Sequence, residues 1–380
     1  MFGLRTRDVE ERAVQATPWG DWGGGGSQTW AGPKVDSGNA MQLLTVFGCV
    51  NLIASQISML PVDTYDMAGD EAPQPSWLSQ PVPGLDRLAW MSQILTSLLL
   101  GGNAYLRIQR GEDSRIVALP VLAPAKVTVT REQGVLAFYS GGLNLGRDVV
   151  HIKGIMLPGA DVGVNPIEYA RQTIGGGMAA QEYGARFFGQ GATMPGVIEY
   201  PGEMPPAQAR EVARAFRRQH GGTKKAHLPA VLEGGATWKT VGVTNEQAQF
   251  LETRKFTAAE IAAQLFLLDP ADLGLPVEGT SLTYANLEER NIRRVQVALM
   301  PWISRVETAL SSITPGRRFK VNVNAILRAD LRSRYESYSI GIKSKFLVPN
   351  EVREWEDLDP IDGGDVVATI ATPTPGAQNG

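Results

Sequence analysis

Residues 165–188 read NPIEYARQTIGGGMAAQEYGARFF, and this segment predicts the first of two unusual helices. Asn165 is a favourable N-cap, Pro166 suits the first helical position, and Glu168 can complete a capping box. We therefore predict a helix that reaches the end of the segment. Its middle holds the run Gly175–Gly177, which costs about 2–3 kcal/mol relative to alanine in a helix interior. Close approach to another helix would offset that cost, whereas the alternative is a break into two short helices.

A second helix with small side chains is predicted further along the chain. Thr244, with Gln247 three residues later, has the pattern of a capping box, and the helix should continue to about Leu268. The pair Asp269-Pro270 ends it, because the residue before a proline avoids the helical conformation. Its small-residue face includes Ala258, Ala259 and Ala262.

Between these two helices lies a compact insertion with short strands and a basic helix at about 205–219. Between Met204 and Lys225, six basic residues stand against the single acid Glu211, although the whole chain has a net charge of -3. The basic residues are Arg210, Arg214, Arg217, Arg218, Lys224 and Lys225. The first three share one helix face and the fourth flanks it. The alternatives are a solvated helix, a docking surface for an acidic patch on a partner, and direct DNA contact, which is disfavoured.

A long helix follows the second small-residue helix after a loop. The loop contains glycine and proline over about 269–281, and the helix should run from about 283 to 313. Pro301 should kink this helix, since its ring clashes with the preceding turn and removes a hydrogen bond. A loop of about a dozen residues is too long for a simple helical hairpin, so we predict that it is functional.

The amino-terminal part predicts an arm and an α+β unit. Residues 1–38 hold three tryptophans around a run of four glycines without any period, so we predict a flexible arm. From about 40 to 155, helical patterns precede five β-rich runs separated by turn residues. The predicted fold class is therefore α+β.

Two uncharged stretches, 41–60 and 88–106, approach the length of a membrane span. The first has a polar stripe at Asn51, Ser55 and Ser58, which lipid tolerates poorly. The second is broken by Gly101-Gly102, as at a helix end. Two helices packed on a sheet are therefore favoured over membrane spans.

The composition excludes several classes of function. The net charge of -3 disfavours a general nucleic-acid coat protein, which is basic. One cysteine, Cys49, and three histidines leave no intrachain disulfide and too few ligands for a Cys/His zinc site, so no metal and no cofactor are predicted. The sequence has no Gly-x4-Gly-Lys-Ser/Thr phosphate loop. One alternative function remains, a soluble enzyme that uses carboxylates as acid and base, but the adjacent pairs Glu288-Glu289 and Glu356-Asp357 do not face each other on a helix.

Several short stretches occur in an order that points to one family. They are Cys49-Val50-Asn51-Leu52-Ile53-Ala54 with Leu60-Pro61, Gly102-Asn103-Ala104-Tyr105, His151-Ile152-Lys153-Gly154, Asn165-Pro166-Ile167, Phe187-Phe188 with Gly191-Ala192, Gln249-Phe250-Leu251-Glu252, Pro301-Trp302, and Pro349-Asn350-Glu351-Val352-Arg353-Glu354. None is specific alone. Together, from about Cys49 to Asp365, they resemble the tailed-bacteriophage portal proteins of the Hong Kong 97 type.

The resemblance implies a portal-type subunit with named parts. These are a flexible amino-terminal arm (1–38), a wing (39–160 with 315–327), a first stem helix (161–192), a clip (193–243), a second stem helix (244–268), a tunnel loop (269–282), a long kinked tunnel helix (283–314), a short helical crown (328–366) and a disordered tail (367–380). It also implies that the stem packs through Gly175, Gly176, Gly177, Ala258, Ala259 and Ala262. The tunnel-loop residues nearest the DNA would be Val277, Glu278, Thr280 and Ser281.

The implied function is that of a structural protein and not an enzyme. The chain would form a homododecameric ring at one capsid vertex of the virion, after assembly in the host cytoplasm, and would have a role in nucleating the procapsid. Double-stranded DNA would pass non-specifically through the ring during packaging and ejection. The other implied partners are the large terminase subunit, the head–tail adaptor or neck protein and the major capsid protein, and no membrane is implied. The basic helix would dock the motor or the adaptor.

Overall fold

Helices and strands both build the chain, which confirms the mixed α+β class. The computed structural model describes residues 27–189, 196–220, 234–240, 246–275, 284–323, 326, 331–356 and 358–367. The chain divides into two compact units. The larger unit is Met1–Ser281 with Arg293–Val321, and the smaller unit is Leu282–Ile292 with Asn322–Gly380.

The described chain begins with a two-stranded hairpin. Strand β1 (Ser27–Gln28) pairs antiparallel with β2 (Lys34–Val35). The buried Ser37 follows, and its hydroxyl donates a hydrogen bond to the carbonyl of Leu100. The flexible arm predicted up to residue 38 is therefore wrong for its described part, because a strand pair and a buried hydrogen bond hold these residues in the fold.

Two apolar helices form the centre of the larger unit. Helix α1 (Leu44–Met59) leads to strand β3 (Val62–Tyr65), and the short helix α2 (Ser76–Ser79) precedes α3 (Arg87–Gly101). Helix α1 packs on α3, and α3 packs on the next strand, as predicted. The largest buried side chains include Ile53, Ile57, Trp90, Ile94, Leu95 and Leu98. Among the helices that the structure describes, none combines the length and apolarity needed to cross a membrane.

Short antiparallel strands follow α3. They are β4 (Asn103–Arg107), β5 (Gln109–Arg110), β6 (Ile116–Ala118), β7 (Val121–Leu122), β8 (Val127–Glu132), β9 (Val135–Ser140), β10 (Leu143–Asn144) and β11 (Val149–Lys153). They form the sheets β11-β4-β7, β10-β9-β8 and β5-β6. Gln133 and Gly134 join β8 to β9 with positive φ at both residues, which is the hairpin geometry that matches the twist of the strands. The predicted meander is found in β8-β9-β10, whereas β4 pairs with β7 and with the distant β11 and so departs from it.

The predicted insertion lies between two long helices. In chain order the elements are α4 (Pro166–Tyr169), α5 (Arg171–Gly189), β12 (Gly196–Glu199), α6 (Pro206–His220), β13 (Thr237–Thr240) and α7 (Glu246–Glu260). Strands β12 and β13 pair antiparallel and bracket α6 in the sequence. A π-helical segment, Ile261–Leu265, continues α7, and a 3-10 helix, Pro270–Leu273, follows it.

The remaining elements are shared by the two units. Helix α8 (Tyr284–Arg293) is followed by a π-helical segment, Arg294–Leu299, and by α9 (Met300–Ile313) and β14 (Arg318–Val321). Strand β14 pairs with β3, so the chain returns to the amino-terminal core after α9. The smaller unit contains α10 (Leu331–Lys343) and α11 (Pro349–Trp355), and the Tyr338 hydroxyl of α10 donates to Glu356 just after α11 at 2.9 Å.

Candidate functional site

The start of the first small-residue helix differs from the prediction in one respect. The Asn165 carboxamide oxygen accepts hydrogen bonds from the N–H groups of Ile167 and Glu168, which confirms the N-cap. The Glu168 carboxylate instead accepts from the Ser27 hydroxyl of β1 and from Arg171, so the predicted capping box is not formed. The reason is tertiary, because the amino-terminal hairpin offers the carboxylate a donor that the local sequence does not reveal.

Helix α5 runs without interruption through the three glycines. The alternative of a break at the glycine run is therefore wrong. The helical segment is interrupted earlier, at Ala170, which separates α4 from α5 with φ -89° and ψ 6°. The N–H of Ala170 still bonds to the Pro166 carbonyl, so the chain bends there without losing its backbone hydrogen bonds.

The three glycines face three different surroundings. A Cβ on Gly175 would lie 2.6 Å from Thr29 Cγ2, in the loop between β1 and β2. A Cβ on Gly177 would lie 3.1 Å from Leu43 Cδ2 and 3.4 Å from Thr257 Cγ2 of α7. A Cβ on Gly176 would meet no atom within 4 Å among the described residues. Packing within the chain thus requires glycine at Gly175 and Gly177. At Gly176, the described residues leave the surface of α5 uncovered.

Helices α5 and α7 are in contact, with Gly177 close to Thr257. Ala258 and Ala259 of α7 are half-buried, whereas Ala262 is buried in the π-helical segment, which packs on α1. Phe256, on a different side of the same helix from Thr257, is 71% exposed. The α7 helix therefore has one face against α5 and leaves an aromatic side chain uncovered.

The basic helix is α6. Arg210 and Arg214 are exposed on it, one turn apart, so they share a face. Arg217 and Arg218 belong to the last turns of the same helix. Lys224 and Lys225 lie outside the described residues. Helix α6 therefore exposes cationic side chains, and the β12–β13 pair that brackets it in the sequence carries an exposed ion pair, Lys239 with Glu199, at 2.9 Å.

The predicted tunnel loop (269–282) begins with the described 3-10 helix Pro270–Leu273, but its later part, with Val277, Glu278, Thr280 and Ser281, lies outside the described residues. The described chain on either side of it is joined by an ion pair. Arg294 Nη1 lies 3.3 Å from Asp272 Oδ1, and both side chains are largely buried, with 16% and 10% exposed. Sequence patterns missed this pair because the two residues are separated by 22 positions and have no shared motif. A buried ion pair at this place holds together the two chain segments from which the loop departs.

Pro301 occupies the beginning of α9, directly after the π-helical segment Arg294–Leu299. A π-helical segment shifts the backbone hydrogen-bond pattern, which removes the demand for the N–H group that proline lacks. Arg305, one turn later, places its guanidinium 5.5 Å from the centre of the Trp302 ring and donates to the Pro301 carbonyl.

Two of the short stretches in the sequence come together as one strand pair. In the β4–β11 ladder, Tyr105 lies opposite His151 and Asn103 lies opposite Lys153. The Asn103 side chain donates to the carbonyl of Gly163 and accepts from the Gly163 N–H. These bonds fix the orientation of the amide, so the Asn103 oxygen, at 2.9 Å from His151 Nε2, accepts a hydrogen bond from the N–H of that nitrogen.

Close backbone packing surrounds this network. Gly102 has a φ of +69°, and a Cβ there would overlap the carbonyl oxygen of Val164 at 1.8 Å. The His151 ring stacks on Tyr105 with 4.5 Å between centroids, and its Nδ1 is buried with no partner among the described residues. Burial, with a smaller effect from Lys153, lowers the pKa of His151 to about 4, so the ring is neutral at pH 7. The network is a structural support and offers no acid–base pair for catalysis.

Among the described residues, no group of three or more Cys, His, Asp or Glu side chains is placed to hold a metal ion.

Comparison with known proteins shows the family of the chain. The family model described as phage portal protein matches residues 44–357. The chain is 36% identical over 366 residues to the probable portal protein of Streptomyces phage phiC31, across 89% of this chain and 79% of that protein. It is 27% identical over 364 residues to the portal protein of Enterobacteria phage HK97, across 90% of this chain and 85% of that protein. The chain belongs to the phage portal protein family.

A solved structure shares the fold. A chain in the neck of a native gene transfer agent particle, computed with C12 symmetry, superposes with a TM-score of 0.58 at 22% identity. The match covers 92% of this chain and 99% of that chain. The resemblance first seen in the short stretches of sequence is therefore confirmed at the level of family and of fold.

Proposed function

We propose that this chain assembles into a dodecameric ring at one vertex of a phage capsid, and that double-stranded DNA passes through the ring during packaging and ejection. Membership of the portal family over residues 44–357 supports this proposal. The observation that carries the ring is the open face of α5 at Gly176, beside two glycines that are already filled within the subunit. Because Gly176 has no side chain, a helix of the next subunit can approach α5 closely at this position. Such head-to-tail contacts can close into a ring.

The elements then have the following roles. The wing comprises α1 to β11 together with β14, the stem comprises α5 and α7, and the clip comprises β12, α6 and β13. The tunnel loop leaves the stem after residue 275, the tunnel helix ends with α9, and the crown contains α10 and α11. The predicted kink at Pro301 would let the tunnel helix change direction between the wing and the tunnel.

The charge of the chain suits a conduit that does not grip DNA. Lysine and arginine contacts to phosphates make binding tight and dependent on salt. Twelve copies, each with a net charge of -3, give the ring a total charge of -36, which disfavours tight binding of DNA along the tunnel. The chain has no phosphate-binding loop of the Gly-x4-Gly-Lys-Ser/Thr type, so the force for packaging comes from the terminase ATPase and the ring is not an enzyme.

The clip provides the docking surface for these partners. Exposed arginines on α6 attract an acidic patch over a long range, which raises the rate of association. The partners at this surface are the large terminase subunit during packaging and the neck or adaptor protein afterwards. The major capsid protein meets the ring at its vertex, where the ring also nucleates the procapsid. The assembled ring is a component of the virion, and the subunits are made in the host cytoplasm.

Packaging in a reconstituted system tests the function as a whole. The chain is combined with the capsid protein and terminase from the same phage genome, and DNA protected from nuclease is measured. We expect protected DNA only when the chain is present during capsid assembly. Equal protection in capsids assembled without the chain would overturn the proposed conduit.

A further inference from the structure

A groove lies between the edge of one sheet and helix α9 in the larger unit. Its volume is about 670 Å³, and all five consecutive residues of β11 line it. On the other side, the lining positions of α9 are Pro301, Ser304, Arg305, Thr308, Ala309 and Ser312. Their spacing of three and four places them on one helix face. Side chains alternate along a strand, so a groove lined by five successive residues runs along the backbone edge of the strand.

The alternation of hydrogen bonds along β11 shows which backbone groups face this groove. The Gly154 N–H bonds to the Gly102 carbonyl, and the Ile108 N–H bonds to the Asp148 carbonyl. In an antiparallel pair, bonded and non-bonded residues alternate, so even-numbered residues of β11 bond to β4. The N–H and C=O groups that point away from β4 belong to Val149, His151 and Lys153. Strand β11 is the last strand of its sheet, so among the described residues no other strand lies beside this edge.

The charge around the groove has one sign. Arg147, Lys153 and Arg305 line it, and no carboxylate does. Within the part of the chain that the structure describes, none of the three cations has a carboxylate within 4 Å, since the nearby Asp148 and Asp161 pair with Arg110 and Arg131. The groove therefore presents three cations that have no ion-pair partner among the described residues.

We propose that this groove binds an extended acidic segment of a partner protein, which adds to the sheet as a strand beside β11. Strand addition uses main-chain hydrogen bonds for affinity, and side chains on either side of the strand give specificity. Arg147 and Lys153 are six residues apart, which is roughly 20 Å along an extended chain. The partner segment therefore has acidic residues about six positions apart, with residues that favour strands between them. Arg305 on α9 contacts the same segment from the helix side.

The proposal goes beyond the passage of DNA, because it concerns the outer edge of a sheet and a protein ligand. It does not depend on the formation of a ring. Unlike the arginines of the basic helix, the cations here accompany a row of unpaired backbone groups, which selects an extended chain over a folded acidic surface.

The test uses the full chain and the fluorescent seven-residue peptide Glu-Val-Thr-Val-Thr-Val-Glu, with binding measured by anisotropy. We expect saturable binding that weakens as salt is raised. Two peptides serve as controls. One has lysine in place of both glutamates, and the other is N-methylated at alternate residues, so that it keeps the charges and loses the donors of one edge. We expect both to bind at least tenfold more weakly.

Variants of the chain separate the two parts of the proposal. Arg147→Glu with Arg305→Glu should weaken binding at least tenfold, whereas Arg115→Glu, an exposed arginine outside the groove, should leave binding unchanged. Val149→Pro removes one N–H from the open edge and leaves the bonds to β4 intact, so it should weaken binding in a chain that remains folded. A result in which the acidic and basic peptides bind equally, or in which Arg115→Glu matches the groove variants, would overturn the proposal. Binding only by dissociated subunits would also overturn it, because a neighbouring copy would then cover the groove.

Discussion

Thr29, in the amino-terminal hairpin, lies so close to Gly175 of α5 that a Cβ on the glycine would come within 2.6 Å of the threonine Cγ2 and Oγ1. The hairpin is also held by a hydrogen bond from the Trp30 N–H to Gln172, one turn earlier on α5. The amino-terminal hairpin is therefore built onto α5. The glycine run serves contacts within the subunit at Gly175 and Gly177, and leaves Gly176 for contacts outside it.

Replacement of Gly176 by leucine separates these roles. We expect the subunit to stay folded and to gain about 0.8 kcal/mol from helix propensity, because a Cβ there meets no atom within 4 Å among the described residues. Ring assembly should fail, since a neighbouring helix can no longer approach. Circular dichroism and denaturant unfolding follow the subunit, and native mass spectrometry follows assembly. Gly175→Leu is the matched control, and it should destabilise the subunit itself by about 1–3 kcal/mol through overpacking against Thr29. Intact rings with Gly176→Leu would contradict the account.

The ion pair between Asp272 and Arg294 should be important for stability. Arg294→Met leaves a largely buried carboxylate without this partner, and we expect a loss of about 3 kcal/mol in the free energy of unfolding. Asp272→Leu combined with Arg294→Met should recover much of that loss, because no buried charge remains. Arg186→Met, which breaks an exposed pair with Glu182, should cost less than about 1 kcal/mol. If the double variant loses as much free energy of unfolding as the two single variants added together, Asp272 and Arg294 do not stabilise each other.

Deletion of residues 276–280 tests the tunnel loop. We expect rings to form normally, because the flanking pair of Asp272 and Arg294 remains. Packaging or retention of DNA in a prohead should be impaired, since we propose that this loop is the part of the chain nearest the DNA. The measurement is nuclease-protected DNA per particle, with ring integrity checked by electron microscopy. Unchanged packaging by rings with the deletion would remove the loop from the mechanism.

His151 should make stability depend on pH below neutrality. Its pKa is lowered to about 4 in the folded chain by burial and, to a smaller extent, by Lys153, whereas an unfolded histidine titrates near 6.5. Between these two values the unfolded chain binds more protons, so the contribution of His151 to stability is present at pH 7 and is lost as the pH falls from about 6.5 towards 4. His151→Gln keeps a donor for Asn103 and removes the titration. Denaturant unfolding at pH 7 and pH 5 should show a smaller loss of stability in the variant, and an identical loss in both chains would contradict this role.

The arginines of α6 provide a test of motor docking. Changing Arg214, Arg217 and Arg218 together to glutamate should leave rings intact and weaken terminase binding at least tenfold at low salt, because attraction becomes repulsion. The same three positions changed to lysine keep the charge and should retain most of the affinity. Interferometry at low and high salt measures both variants and the parent ring. Equal affinity for the glutamate variant and the parent at both salts would mean that these arginines are only a solvated helix face.

Local signals in the sequence predicted much of the fold. The Asn165 cap, the end of α3 at Gly102 and the β8–β9 turn depend on residues adjacent in the chain, so the residue types reveal them. The hairpin of Ser27–Gln28 and Lys34–Val35 was missed because two-residue strands have no visible alternation. The role of Glu168 was missed because its donor, Ser27, lies 141 residues away.

The candidate site was less predictable for the same physical reason. Small residues on α5 and α7 indicate close packing, but only coordinates distinguish Gly176 from its two neighbours. The Asp272–Arg294 pair and the groove beside β11 form between segments that are distant in the chain. Composition patterns report local periodicity and charge, and they carry no information on which distant segments meet.

The central claim is that this chain forms a closed ring, and the mass and shape of the purified full-length protein test it most directly. Twelve subunits of 41.0 kDa make a particle of about 490 kDa, whose heterologous contacts close on themselves. Native mass spectrometry with electron microscopy should show this mass, or that of a ring with a neighbouring subunit number, and annular particles with a central hole. Only monomers or dimers at micromolar concentrations, with no ring after addition of DNA or capsid partners, would contradict the account.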